Sequence, residues 1–350
     1  MPALGTTVSI CLLLIALSTA ACSDGSGPED VGRAVETLGA GAAGTADWRL
    51  VWTSDFNRDG LRDVLWSDRR TNRLTVWLMS GTAVLAKGPE IPGPRADGWA
   101  AKAAGDFNRD GMADVLWHNA TTNRMIIWLM NGTAVLEKGP EIPAPSGVGW
   151  TAVKTGDFNR DGVVDLLWYN PTTNHIAIWL LAGTQVLEQG PEIAGPLGDG
   201  WNAVDVADFD RDGLADVLWN NPTTNHMAVW LLAGTEVREQ GPEIAGPLGD
   251  GWKAARPADF NFDGMADVLW HNATTDRITV WLMSSTGLVA PGPEIPGPSG
   301  DGWRIASVND ENGDGMTDVF WLRSPLNIMT VWLMNGTRVL ARGPLIPGPL

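Results

Sequence analysis

Apolar residues along this chain come in short runs that stop at polar turns, and the runs return at a fixed spacing. Within residues 96–146, Trp99 opens WAAKAAGDF, a segment of small side chains. An acidic loop follows and leads into Asp114-Val115-Leu116-Trp117, made of strand-forming residues. Asn119-Ala120-Thr121-Thr122-Asn123 then reads as a turn closed by side-chain hydrogen bonds. Met125-Ile126-Ile127-Trp128-Leu129-Met130 is the strongest strand of the segment, and Asn131-Gly132 signals a tight hairpin. A last strand runs from Ala134 to Ile142 and gives way to Pro143-Ala144-Pro145, because proline belongs at or beyond a sheet edge.

The whole pattern recurs. DFNRDG starts at 55, 106 and 157, DFDRDG at 208, DFNFDG at 259 and DENGDG at 310, so every interval is 51 residues. Four short antiparallel strands in about 50 residues have the size and content of one propeller blade. The expected fold is therefore all-β, a six-bladed β-propeller of four-stranded antiparallel blades over residues 45–350. The repeats begin and end in phase, so no strand is donated from one terminus to the other, and closure rests on packing between blades six and one. Eighteen of the 19 tryptophans stand in three columns that begin at Trp48, Trp66 and Trp77 and repeat in each unit. Such columns pack neighbouring sheets together; a sugar-stacking platform is the alternative for one of them.

Charge and cysteine content narrow the function. A formal charge of −17 and a pI near 4.5, with no basic run, exclude a nucleic-acid footprint. Both cysteines, Cys11 and Cys22, precede the repeats, so no intrachain disulfide staples them. Residues 10–21 form an apolar run the length of a signal-peptide core, too short to span a bilayer. Residues 1–21 are thus expected to direct export. Thr19-Ala20-Ala21-Cys22 resembles a bacterial lipobox, with Cys22 as the lipidated residue and the only attachment to a membrane. Thr19 stands where leucine is expected, and MPALGTTVS carries no Lys or Arg, so cleavage after Ala20 or Ala21 is the alternative. Residues 22–44 read as a flexible Gly/Ala/Ser tether. The expected product is an exported monomer, lipid-anchored in the bacterial cell envelope or secreted.

The acidic loops carry the main chemistry. In Asp106-x-Asn108-x-Asp110-Gly111-x-x-Asp114, oxygen side chains stand at positions 1, 3, 5 and 9 with glycine at 6. Calcium takes six to eight oxygens in a flexible shell, and an EF-hand loop supplies them with the same early spacing. The glutamate that closes an EF-hand at position 12 is absent, and the aspartate at 9 takes its place. The expected ligands are Asp55, Asn57, Asp59 and Asp63; Asp106, Asn108, Asp110 and Asp114; and Asp157, Asn159, Asp161 and Asp165. The second half adds Asp208, Asp210, Asp212 and Asp216; Asp259, Asn261, Asp263 and Asp267; and Asp310, Asn312, Asp314 and Asp318. A metal-free Asx turn is the alternative, but converging carboxylates in six copies would repel without a cation. Up to six Ca²⁺ would bring the formal charge from −17 to −5. Magnesium is disfavoured because it keeps its own waters. Loop 4 has Asp210 in place of asparagine, and loop 6 replaces the phenylalanine at position 2 with Glu311.

The run D-F-N-R-D-G-x-x-D-V-L-W, followed by T-N-x-x-x-x-W-L-M-x-G-T, resembles the FG-GAP/VCBS repeat family of exported bacterial proteins. Its loop is similar to those of integrin α-subunit propellers and of some fungal propeller lectins. The resemblance covers residues 45–350 and implies a calcium-carrying propeller engaged in adhesion or ligand recognition. The FG and GAP signatures of integrins are not preserved, so integrin-type binding is not implied. Fold alone does not settle function.

Signals for an enzyme are sparse. His118, His271, His175 and His226 sit at turns after strands, as solvated residues do, and there is no cysteine nucleophile or GxSxG. A glycosidase-type carboxylate pair drawn from two blades is the remaining route, and the chain is read as a binder, not an enzyme. In a repeat protein, function is expected where the copies disagree. One first-strand column reads Trp52, Ala103, Lys154, Asp205, Arg256, Ser307, and three residues earlier another reads Arg49, Ala100, Thr151, Asn202, Lys253, Arg304. If this strand is innermost, Trp52, Lys154, Asp205 and Arg256 form one polar-aromatic site for a glycan or cell-surface protein; otherwise they are tolerant solvent positions. A calcium-stabilised surface scaffold without a specific ligand is the competing reading.

Overall fold

The structure, a computed structural model, describes residues 47–349, and these form one compact unit. The expectations for the signal peptide, Cys22 and the tether lie outside the described residues. Six separate antiparallel sheets follow one another, each built from one contiguous stretch of chain. They are the blades of a six-bladed β-propeller.

Blade 2 shows how the residues produce the sheet. Its strands are Trp99–Gly105, Asp114–Asn119, Arg124–Asn131, Ala134–Lys138 and Ile142–Pro143. Asn119 closes the turn between the second and third strands, its Oδ1 accepting the N–H groups of Thr121 and Thr122 at 3.0 and 3.1 Å. The single last strand expected over residues 134–142 is broken in two. Pro140 has no N–H to give the ladder, and Gly139 donates instead to the Ile127 carbonyl at 2.9 Å. Both pieces pair with the third strand, as Met130↔Val135 and Met125↔Ile142. Every blade repeats this arrangement of four strands and a two-residue fifth.

The first strands of successive blades adjoin one another, those of blades six and one included, so this strand lines the axis. In each blade it carries a β-bulge at the same place, between Leu50 and Trp52, Ala101 and Ala103, Ala152 and Lys154, Ala203 and Asp205, Ala254 and Arg256, and Ile305 and Ser307. A bulge bends the strand and re-aims the side chain beyond it. The residue beyond it is the variable column.

The core lies between blades. Leu116, Ile127 and Leu129 of blade 2 meet Trp150, Trp168 and Trp179 of blade 3, and corresponding clusters occupy other interfaces. All eighteen columnar tryptophans are buried. They are wall residues, and no stacking platform is open there. Each second-column ring leans on the third-column ring of its own blade, as Trp117 on Trp128 at 5.2 Å between centroids. An aromatic side chain buries roughly 150–250 Å², which at about 25 cal/mol/Å² is roughly 4–6 kcal/mol before entropy is counted.

Closure uses a contact that other interfaces share. A Cβ on Gly93 would lie 2.6 Å from the Trp117 ring of the next blade, and one on Gly348 would lie 2.7 Å from Trp66 of blade 1. Glycine is required there by close approach. Asn327 Nδ2 also donates to the Trp48 carbonyl at 2.8 Å across the last seam.

Candidate functional site

Two regions carry polar side chains at unusual density: the acidic loops and the axis. Each loop connects the first strand to the second. In blade 2, Asp106 Oδ2 accepts the Gly111 N–H at 2.8 Å and its Oδ1 accepts that of Asp110 at 3.1 Å. Asn108 Oδ1 takes the same Asp110 N–H at 3.0 Å, and Asp110 Oδ1 takes that of Met112 at 2.8 Å. These are Asx turns in series, which short Asp and Asn side chains favour. Gly111 sits at φ 87°, and Arg109 at φ 61° accepts a left-handed conformation at position 4. Loop 6 places Gly313 there instead.

Asp114 does a different job from the other three. It is fully buried, and its two oxygens accept the N–H groups of Phe107 and Met130 at 2.9 and 2.8 Å. It therefore ties the loop to the third strand. Asp63, Asp165, Asp216, Asp267 and Asp318 make the same pair of bonds. Burial, helped by the acids at positions 1 and 5 for Asp114 and Asp165 and by Asp210 and Asp212 at positions 3 and 5 for Asp216, pushes these three carboxyls up to about 7. Asp63, Asp267 and Asp318 rise to about 6 for the same reasons. The two backbone bonds offset part of each rise.

The donor set fits a hard divalent cation. In loop 4, carboxylate oxygens of Asp208, Asp210 and Asp216 lie within 4.8 Å of one another, a separation that one ion with 2.3–2.6 Å bonds can bridge. The other loops offer an asparagine oxygen in place of Asp210. Loop 4 also differs in its surroundings. Arg238, from the fourth strand of the same blade, pairs with Asp210 and reaches Asp212 at 2.5 Å. The other blades place Leu85, Leu136, Leu187, Val289 and Leu340 in that column. The extra acid and its arginine occur together.

Around the axis, the bulge brings Trp52, Lys154, Asp205 and Arg256 into one cluster. Lys154 Nζ lies 3.1 Å from Asp205 Oδ2 and 5.1 Å from the centre of the Trp52 ring. Arg256 Nη1 donates to the same Asp205 oxygen at 2.7 Å, and its Nη2 to the Ala306 carbonyl at 3.0 Å. Burial, reinforced by Arg256, pushes the Lys154 ammonium down to about 8. Burial alone would raise Asp205, but Lys154 and Arg256 outweigh it and hold the carboxyl below its usual range. The column three residues earlier is more open: Arg49 pairs with Asp47 at 2.8 Å, and Asn202, Lys253 and Arg304 are exposed.

A cavity of about 290 Å³ opens beside this cluster, lined among others by Trp52, Arg62, Asp205, Arg256, Ser307 and Asn309. Arg62 is absent from the column reading. It stands at loop position 8, where other blades carry Ala113, Val164, Ala215, Ala266 and Thr317. Its signal was present, because the disagreement between copies that marks the first strand marks this position as well. Ser54 lines the cavity too, where other blades place Gly105, Gly156, Ala207, Ala258 and Asn309.

The histidines correct the sequence reading in part. His118 is buried within the second strand and meets Trp168 of the next blade edge-on at 5.4 Å, and His271 meets Trp321 likewise at 5.5 Å. Burial lowers the pKa of both. They are packing residues at blade seams, not solvated turn residues, because their column faces the tryptophan of the next sheet. His175 and His226 begin third strands, and each Nδ1 contacts a turn carbonyl, Thr173 O at 2.7 Å and Thr224 O at 2.8 Å. Glu311 is a further surprise. It fills the buried site of Phe56, Phe107, Phe158, Phe209 and Phe260, and burial pushes its carboxyl up to about 8.

Among known folds, the chain is similar over 84% of its length to part of the Photorhabdus luminescens Tc holotoxin pore, with 16% identity and a TM-score of 0.55. It spans only 14% of that chain. It is also similar to a Lactobacillus plantarum protein, at 12% identity and a TM-score of 0.53, with 85% of each chain covered. Raptor from Chaetomium thermophilum matches 86% of this chain at 12% identity and a TM-score of 0.52, the match covering 25% of Raptor. Identities this low speak for the fold alone. No curated protein sequence matches the chain. The FG-GAP-like repeat matches residues 55–117, 165–219 and 259–321, more than half of the 350 residues. With its acidic loops and six blades in the same phase, the chain belongs to the FG-GAP-like repeat family.

Proposed function

We propose that this protein is an exported recognition module that captures a glycan or protein ligand at its axis, with calcium holding its loops. One observation carries the reading. The residues on which the blades disagree, Trp52, Arg62, Asp205, Arg256 and Ser307, come from four different blades and line one cavity. A purely structural propeller has no need for a polar, charged and aromatic set gathered at one place on its axis. The calcium part rests on the six equivalent oxygen sets and on the carboxylate spacing in loop 4. Export rests on the apolar run at 10–21, and attachment on Cys22. In this reading the VCBS-like role is adhesion or capture without a catalytic step.

The test is a glycan and polysaccharide array probed with the full chain in millimolar calcium and again in EDTA. Capture in calcium and its loss on Trp52→Ala, with folding retained by circular dichroism, is the expected result. Silence under both conditions from folded protein would turn the reading to a calcium-stabilised scaffold.

A further inference from the structure

The cavity has a definite sign. Its charged lining residues are Arg62, Asp205 and Arg256. Asp205 is already saturated: one oxygen takes Lys154 and Arg256, and the other accepts the Val206 N–H at 3.0 Å. With Lys154 behind the wall, three cations thus stand around one carboxylate whose two oxygens are both already hydrogen-bonded. Arg62 has only a long contact to Ser54 Oγ at 3.4 Å. Glu311, whose carboxyl feels Arg62, is buried, and neither it nor the adjoining loop acids Asp63, Asp310 and Asp318 are part of the lining. Ser307 contributes a buried hydroxyl with no hydrogen-bond partner, and Thr53, Ser54 and Asn309 add short polar groups to the wall. All this lies inside a protein of formal charge −17. A positive pit with low-dielectric walls concentrates field lines and draws in a counter-charge.

We infer that the axial cavity binds a compact sugar acid, a pyranose bearing one carboxylate, with the carboxylate on Arg62. This rests on the recognition reading above and names the ligand class for the same site. A guanidinium fork matches a carboxylate in geometry as well as in charge. The hydroxyl and amide groups of Ser54, Ser307 and Asn309 are suited to sugar hydroxyls, and the half-buried edge of Trp52 supplies apolar surface. At about 290 Å³ the space holds a single ring, near the lower end of small-molecule sites. A longer polymer would enter by one residue.

Calorimetric titration of the full chain with glucuronate, and with glucose as the neutral isostere, tests the inference. Glucuronate is expected to bind, glucose to bind at least about tenfold more weakly, and Arg62→Gln to weaken glucuronate by a similar factor. Equal binding of the two sugars, or no binding of glucuronate, overturns the inference, and so does an Arg62→Gln variant that binds glucuronate as the parent does. The glucose comparison needs no variant, so the test survives if Arg62→Gln misfolds. Array capture of neutral glycans or proteins with no preference for uronates would sink the charge assignment while leaving the recognition reading intact. An array silent for every ligand would sink the recognition reading itself.

Discussion

At position 9 of the acidic loops all six blades carry aspartate, and each accepts two backbone N–H groups seven and sixteen residues away in number. At the position after the bulge no two blades carry the same residue. Both positions belong to the same repeat, eleven residues apart. The loop aspartate meets the same surroundings in every blade, so a single solution serves six times. The axial residue meets its own copies around the axis, where six equal charges would repel. A charged axis is possible only if the copies differ, as Lys154, Asp205 and Arg256 do. Sameness here is mechanical, and difference is what allows a directional site.

The largest expected effect falls on the loop half of this comparison. With affinities of about 10⁻⁴–10⁻³ M and 1 mM free calcium, mass action supplies about 0.4–1.4 kcal/mol per loop, or roughly 2–9 kcal/mol over six. Thermal melts in 1 mM calcium against EDTA are expected to show this as a marked fall in Tm, with magnesium restoring little. Identical melts would assign the loops to hydrogen bonding alone and leave calcium no part in the fold.

A smaller effect separates the two regions directly. Asp114→Ala strands the buried N–H groups of Phe107 and Met130, at about 1–3 kcal/mol each. A loss of about 2–6 kcal/mol is expected in denaturant unfolding. Ser307→Ala removes a hydroxyl that has no partner and is expected to change stability by less than about 0.5 kcal/mol. Comparable losses in both variants would erase the distinction between a mechanical and a functional position.

How far the sequence reaches depends on which interactions decide each feature. The 51-residue spacing and the short strands follow from local turn chemistry, so blade number and hairpins are legible. The variable column is legible because a repeat supplies its own comparison, and the bulge before Trp52 and its counterparts is what makes that column converge. Arg62 escapes because the variable column lies on one strand while the cavity is closed by a loop. His118 and His271 mislead because a residue at a strand's end looks solvated until the next blade covers it with Trp168 or Trp321. The break at Gly139-Pro140 is local, yet it leaves the blade outline unchanged because both pieces stay on the third strand.

Loop 4 gives the finest test, since it is the one loop whose expected ligand positions depart from the rest, with Asp210 in place of asparagine. Arg238 holds Asp210 and Asp212, two of the carboxylates a cation would use, so the guanidinium and an ion compete for the same oxygens. The pair is substantially exposed, and such pairs contribute about 0.2–1 kcal/mol. Arg238→Leu installs the residue that Leu85, Leu136, Leu187 and Leu340 place in the same column. Removing the competitor is expected to raise the calcium affinity of this loop by up to roughly fivefold, the factor equivalent to about 1 kcal/mol. In a calorimetric titration the weakest step of the parent would then tighten while the others stay in place. A variant that binds calcium more weakly would reverse the assignment, because Arg238 would then be orienting Asp210 toward the ion and loop 4 would be the most organised of the six.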